Sequence, residues 1–279
     1  MKVLVTGGSG FLGTHVRNFF YADDFSRRSG FDVLNLNDTA GVADYDVVIH
    51  LAAYLDKSPD AAEQSFLTNV EGTVNLLRAM SPNSVFIFAS TRDVYGAFAD
   101  DYAEVPESCP TDFRGQSALE WSKLIAEKYI AFYAQANNFR SCIFRLSTVY
   151  APASEGNEPN FVSHYLEAVN MGERLHLPAE GKPRRDLLHV GDFASACQAF
   201  VDSEVQHGLY NLGGGATNAV SLRELLEQIE EIAGANAVIA PEPLPAPVPF
   251  NYVSDLSKIK QELGWEPEIS LADGLKSLL

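Results

Sequence analysis

The sequence predicts an α/β fold in which a doubly wound parallel sheet is joined to a smaller C-terminal α/β domain. Two observations carry this prediction. The chain opens with a strand, a glycine-rich turn and a helix, and later apolar runs have the length and composition of parallel strands buried on both faces. With 279 residues, 46% of them hydrophobic and 20% charged, the chain has the size of one large α/β unit with a shared core.

The composition disfavours several classes of protein. A formal net charge of −17 argues against binding to nucleic acid or to an anionic membrane surface. No apolar run reaches the ~18 residues of a membrane span, and the early first strand leaves no signal peptide to expect. Cys109, Cys142 and Cys197 are scattered and odd in number, which favours a reducing cytoplasm over a disulfide framework. The six dispersed histidines predict no metal site.

The first element is a β-branched strand over residues 2–6, followed by the turn 7–13 and a helix. Gly7 permits the tight turn, Gly10 lets a pyrophosphate approach the backbone, and Gly13 lets helix and strand pack closely. The first helical turn, which includes Phe11 and Leu12, offers unpaired N–H groups to phosphates. This strand, turn and helix therefore predict a Rossmann-like dinucleotide site.

The glycine spacing, Gly-x-x-Gly-x-x-Gly after Thr6, resembles that of the extended short-chain dehydrogenase/reductase superfamily. Later segments resemble its NAD(P)-dependent nucleotide-sugar epimerase/dehydratase family, and the resemblance covers nearly the whole chain. It implies an enzyme with a nicotinamide cofactor and a nucleotide-sugar substrate.

The second strand has two possible registers. One takes residues 31–36 as the second strand and puts Asn37 where an acidic residue would hold the ribose 2′-OH. The other ends the second strand near Phe25 and makes residues 32–36 the third strand. We prefer the latter, because the former leaves about nine residues for a crossover helix between parallel strands, which is too few.

The preferred register places Arg27 and Arg28 beside the adenine ribose, where they would accommodate a 2′-phosphate, so NADP is favoured slightly over NAD. The alternative interpretation of this pair is a solvated surface feature. By resemblance, Asp32 and its neighbour Val33 would contact the adenine.

The next buried strand ends in Leu51, Ala52 and Ala53, and resembles a family segment whose small side chains let the dinucleotide lie against the strand end. The segment that begins at Asn69 resembles the Asn-Val-x-Gly-Thr helix behind the cofactor, and it implies a homodimer built on such helices. His50 is expected to be a packed core histidine.

The following strand runs into Thr91-Arg-Asp-Val-Tyr-Gly, which resembles the family's catalytic segment. The resemblance implies that the Thr91 hydroxyl contacts the reacting oxygen of the sugar. In 4,6-dehydratases an Asp and a Glu at the next two positions act as acid and base on the C5–C6 bond; here they are Arg92 and Asp93. Asp93 is thus a candidate base, or a capping aspartate in a turn.

The helix over residues 116–127 carries the family's lysine, Lys123, but Leu119 occupies the place of the catalytic tyrosine. Tyrosine and lysine at i and i+4 face the same way, and the ammonium lowers the pKa of the phenol. Leucine exchanges no proton, although Lys123 can still hold the nicotinamide ribose. Four explanations stand open: another donor (Thr91, Asp93, Tyr95 or water), a relative that only binds its ligands, a substitution introduced into this chain, or a different register, although Trp-Ser-Lys-Leu-Ile-Ala-Glu fixes the register firmly.

Two further segments resemble the substrate side of the family. Thr148 stands where an asparagine commonly contacts the nucleotide sugar, and Arg185 stands where an arginine forks onto the substrate diphosphate. The alternative for Arg185 is a surface pair with Asp186.

From these residues we expect a dinucleotide-binding domain over residues 1–150 and 186–212 and a substrate-binding domain over 151–185 and 213–279. The predicted function is that of an NAD(P)-dependent epimerase, 4,6-dehydratase or reductase of a nucleotide-activated sugar. The alternative is a catalytically silent relative that binds NAD(P) or sugar nucleotide in a regulatory or scaffold role.

Overall fold

A computed structural model describes residues 1–154, 156–157 and 160–279. Its strands are β1 Val3–Thr6, β2 Asp23–Phe25, β3 Val47–His50, β4 Val85–Thr91, β5 Arg140–Leu146, β6 Thr148–Tyr150, β7 Arg174–Leu175, β8 Arg184–His189, β9 His207–Leu212, β10 Ala219–Ser221 and β11 Val238–Ile239. Its α-helices are α1 Phe11–Phe20, α2 Leu36–Thr39, α3 Ala62–Phe66, α4 Gly72–Ala79, α5 Ala118–Asn137, α6 Phe161–Met171, α7 Val190–Asp202, α8 Leu222–Ala233, α9 Ser257–Leu263 and α10 Leu271–Lys276.

The main sheet has six parallel strands in the order β2-β1-β3-β4-β5-β9, with helices on both faces, which confirms the predicted doubly wound fold. Residues such as Val5, Ile87 and Phe144 fill the core on one face, and Leu4 and Phe86 belong to the core on the other. Because the strands are parallel, the turn after β1, the loop after β3 and the turn after β4 meet at one edge.

A second core lies beside this sheet. The three-stranded sheet β10-β8-β6 and the pair β11-β7 pack with α6, α8 and α10 around residues such as Tyr150, Leu187 and Leu225. Helix α7, which follows β8, packs instead on the core of the main sheet through Phe193 and Phe200. Glu155, Glu158 and Pro159, in the predicted segment 151–185, lie outside the described residues.

The structure corrects one predicted strand. The second strand does end at Phe25, but residues 32–36 form no third strand: a turn leads into α2, and β3 is the next strand after β2. The reason is local hydrogen bonding, since Asp32 Oδ1 accepts the N–H of Leu34 at 2.9 Å and Asn35 caps α2. Side chains of this kind compete with a strand for the backbone. The register with residues 31–36 as the second strand is wrong as well.

Within the described ranges, no helix combines the length and the apolar character that crossing a membrane requires.

Candidate functional site

The turn between β1 and α1 has the geometry of an anion cradle. Gly7 lies in the left-handed region at φ 68°, where a Cβ would come within 2.8 Å of the backbone nitrogen of Ala52. A Cβ on Gly13 would lie 2.1 Å from the carbonyl oxygen of Gly7, so helix and strand are in direct contact. Gly10 precedes α1 with extended backbone and no side chain caps the first turn, which leaves the N–H groups near Phe11 and Leu12 for a ligand.

The end of β2 lies beside this turn, because the Gly7 N–H donates to the carbonyl of Phe25 at 2.8 Å. The short 3₁₀ helix Arg27–Ser29 follows, capped by the buried Ser26. Arg28 reaches over the turn: its Nη1 donates to the carbonyl oxygen of Ser9 at 3.0 Å and its Nη2 to that of Gly156 at 2.8 Å. Arg28 thus lies over the turn between β1 and α1, and Arg27 and Arg28 are both exposed.

Asp32 and Val33, which are neighbours in sequence, differ in burial and in their contacts. Val33 is buried and packs against the start of α4, where a Cβ on Gly72 would lie 2.6 Å from its methyl carbon. Asp32 is more exposed and has its carboxylate engaged with the backbone of the turn.

The loop after β3 is held in place by the buried side chain of Asn69. The side chain of Asn69 accepts the N–H of Tyr54 at 2.8 Å and donates to the Tyr54 carbonyl and to Ser122 Oγ. It is 1% exposed, so its contacts position the loop that follows Leu51, Ala52 and Ala53. His50 is fully buried between Thr6 Oγ1 at 2.6 Å and Thr73 Oγ1 at 2.9 Å, and burial lowers its pKa to about 3, with help from the charge of Lys123.

Thr91 ends β4 at the same edge, and its Oγ1 accepts the N–H of Asp93 at 3.1 Å. The Asp93 carboxylate contacts Lys57 Nζ at 2.7 Å and Arg92 Nε at 3.4 Å. Burial alone would raise the pKa of Asp93, but these two cations hold it below its ordinary value. At neutral pH Asp93 is therefore a paired carboxylate rather than a free base.

Leu119 and Lys123 lie one helical turn apart on α5, and both are buried. The Lys123 ammonium donates to the carbonyl oxygen of Ala89 at 2.8 Å and lies 4.6 Å from the centre of the Phe88 ring. Burial lowers its pKa to about 8. The lysine is thus in place at the end of β4, beside an aliphatic side chain where the resemblance implies a phenol.

Thr148 and Arg185 line one cavity of about 320 Å³. The Arg185 guanidinium donates to the carbonyl oxygens of Pro249 and Phe250, each at 2.7 Å. Burial and the neighbouring Arg92 lower its pKa to about 9. A more open cavity of about 390 Å³, near Arg184 and Glu227, contains none of the predicted site residues.

Two features of the site are absent from the sequence prediction. Lys57 bridges Asp93 and the buried Glu120, with both distances 2.7 Å. It stands in a loop without any motif, so no pattern in the sequence singles it out.

The second feature is a buried network behind the site. Arg145 pairs with Glu127 at 2.7 Å and donates to the hydroxyl of Tyr95 at 3.0 Å, and that hydroxyl donates to Asn211 at 2.6 Å. Burial raises the pKa of Tyr95 to about 12, so this phenol stays protonated at neutral pH and is committed to the network. Across the described residues, no group of three or more His, Cys, Asp or Glu side chains is arranged to hold a metal ion.

Comparison with known proteins places this geometry in context. Residues 3–213 match the model of the NAD-dependent epimerase/dehydratase family. The CDP-paratose 2-epimerase of Salmonella typhi is 27% identical, over 100% of this chain and 98% of that protein.

Solved structures show the same fold. The UDP-glucose 4-epimerase of Thermus thermophilus, a complex with NAD, is 26% identical and aligns with a TM-score of 0.80 over 100% of this chain and 97% of its own. RMD from Pseudomonas aeruginosa, complexed with NADPH, is 24% identical with a TM-score of 0.83, over 100% of this chain and 98% of its own.

Proposed function

The chain belongs to the NAD-dependent epimerase/dehydratase family, and from this premise we propose that it is an NAD(P)-dependent enzyme that modifies a nucleotide-activated sugar through an altered active site. The CDP-paratose 2-epimerase and the UDP-glucose 4-epimerase named above are enzymes that act on nucleotide sugars, which supports an enzyme here. Epimerisation, 4,6-dehydration and reduction are the candidate reactions.

The observation that carries the proposal is the pairing of a glycine cradle with a buried lysine at the same sheet edge. Gly7, Gly10 and Gly13 fit a dinucleotide pyrophosphate, since a side chain at any of them would crowd the backbone of Gly7, Gly8 or Ala52 and distort the tight turn. A bound nicotinamide would exchange hydride with the sugar. Lys123 would hold the ribose hydroxyls, and Thr91 would bind the reacting oxygen, with Asn69 fixing the loop beside them.

The proposed enzyme differs from the family pattern in the group that exchanges a proton with the sugar. Leu119 supplies no proton, Tyr95 is held in its network, and Asp93 is paired with Lys57. These contacts favour Thr91 or a water molecule as the remaining carrier. A positioned acid or base contributes ~10²–10⁴-fold to a rate, so we expect slow turnover with normal binding.

We also propose that the cofactor is NADP rather than NAD, which is supported by Arg27 and Arg28 just after β2.

We further propose a homodimer, which is supported by exposed aromatic side chains on neighbouring helices, Phe66 on α3 and Phe132 on α5. We retain the two-domain division at residues 150, 185 and 212 as a proposal. A cytoplasmic location remains a prediction from the three free cysteines.

Replacing Leu119 with tyrosine tests the function. The phenol would lie one turn from Lys123, whose positive charge lowers the pKa of a neighbouring tyrosine. We expect hydride transfer to rise by ~10²–10⁴-fold on at least one sugar nucleotide, followed as a change in nicotinamide absorbance.

Leu119→Phe is the matched control, because it adds the ring without the hydroxyl and should leave the rate unchanged. The competing candidate, a silent binding protein, is favoured by Leu119 together with Thr148. It predicts tight cofactor binding and no turnover in Leu119→Tyr across a broad panel of UDP, dTDP, CDP and GDP sugars, and that result would overturn the enzyme proposal.

A further inference from the structure

The cavity beside β6 and β8 contains two arginines in a chain of net charge −17. Arg92 and Arg185 line it together with Thr148, and most of the remaining wall is apolar, from residues such as Phe161, Leu187 and Leu225. At about 320 Å³ the cavity has the size of a small ligand site. Two guanidinium groups on an apolar wall favour an anionic ligand over a neutral one.

Arg92 is the less satisfied of the two. Its Nε lies 3.4 Å from Asp93, and its guanidinium carbon lies 5.2 Å from the centre of the Tyr252 ring. Its Nη1 is buried without a hydrogen-bond partner among the described residues. A buried donor on a charged group is costly to leave unpaired, so this nitrogen is suited to a ligand atom.

The neighbouring carboxylates do not neutralise Arg92. Asp93 is shared with Lys57, which approaches it at 2.7 Å. Asp186 is fully buried and accepts hydrogen bonds from Ser147, Gly215 and Ser254. Arg92, which lines the cavity, therefore keeps positive charge that its neighbours do not cancel.

We propose that Arg92 binds a carboxylate carried by the sugar, so that the preferred substrate is a nucleotide-activated uronic acid or another acidic sugar. This inference rests on the proposed function. Arg92 directly follows Thr91, the residue assigned to the reacting oxygen, so it lies beside the sugar ring. Arg185, the neighbour of Arg92 in the wall of the same cavity, is left for the diphosphate. The planar fork of a guanidinium matches the two oxygens of a carboxylate.

Calorimetric titration tests the inference. UDP, GDP, CDP and dTDP first identify the base that the protein binds. The neutral hexose and the corresponding uronic acid linked to that base are then titrated into protein saturated with NADPH, and in parallel with NADH, because a reduced cofactor cannot oxidise the sugar. We expect the uronic acid to bind roughly tenfold more tightly or better, the gain typical of a charge-assisted hydrogen bond.

Arg92→Gln should bring the two affinities together by weakening only the uronic acid, and Arg174→Gln, which removes a distant exposed arginine, should leave the ratio unchanged. An unchanged melting temperature and neutral-sugar affinity would show that the Gln variant is folded. Equal affinities in the unsubstituted protein, or equal weakening of both ligands in Arg92→Gln, would overturn the inference and leave the proposed function standing. Binding of no sugar nucleotide would overturn both.

Discussion

Leu119 and Asp93 show which properties of a site residue can be predicted from the sequence and which cannot. The resemblance puts Leu119 in the tyrosine place by its spacing to Lys123, and the two residues do lie one turn apart on α5. That Asp93 is held by Lys57 is not evident, because the two residues are far apart in sequence and the contact depends on how the loop after β3 folds back. Chemistry within one helix can be predicted from a sequence; a pairing between two loops requires the coordinates.

His50 gives a pH dependence at the residue scale. Its pKa is lowered from 6.5 to about 3 in the folded protein, first by burial and then by the charge of Lys123. The unfolded state therefore binds the extra proton between these values. The stability due to neutral His50 is complete above pH 6.5 and is lost as the pH falls towards 3.

We expect the free energy of unfolding to fall more steeply in the unsubstituted protein than in His50→Gln, by about 1.4 kcal/mol per pH unit within that window. Denaturant titrations at several pH values measure both slopes, and carboxylates contribute equally to the two proteins. Parallel slopes would show that His50 is not the residue responsible.

Among the elements, β2 and the turn after it differ most from a simple sequence pattern. The strand has three residues, and the apolar Val33 and Leu34 that suggest another strand lie in a turn. Val33 is apolar because it packs on α4, not because it belongs to the sheet. Apolar character predicted burial here, whereas the Asp and Asn hydrogen bonds determined the backbone.

The same element should determine the choice of cofactor. Substitution of both arginines, Arg27→Gln with Arg28→Gln, should weaken NADPH binding by roughly tenfold to a hundredfold, as charge-assisted hydrogen bonds to a phosphate are lost. NADH has no 2′-phosphate, so its affinity should be nearly unchanged. Calorimetry with both cofactors measures the ratio, with Arg174→Gln as the control. A parallel loss for NADH would mean that the pair shapes the turn rather than reading the phosphate.

On the scale of the molecule, the order of elements was predictable to a large extent. Buried runs such as Val47–His50 and Val85–Thr91 become neighbouring parallel strands, since local periodicity and crossover rules act along the whole chain. The arrangement of the second core was harder to predict from the sequence. Arg185 donates to carbonyl groups of the segment at 249–250, and such a long-range contact has no signature in the sequence.

The net charge of −17 predicts an effect of salt on the whole molecule. Like charges repel more in the compact state, and raising NaCl from ~10 mM to ~150 mM shortens the screening distance from ~30 Å to ~8 Å. We expect the melting temperature to rise by about 2–4 °C, equivalent to ~1 kcal/mol for a protein of this size. Scanning calorimetry with KCl in place of NaCl should give the same rise; a fall would mean that attractive ion pairs dominate.

The ion pair between Arg145 and Glu127 has a consequence for how this protein can change over generations. It anchors α5 to the sheet by contacts at Glu127, two turns beyond Leu119, and none of its partners involves the side chain at position 119. These contacts hold the helix without the side chain at position 119. We therefore expect that a substitution at position 119 can change the chemistry of the site while the contacts that hold α5 remain.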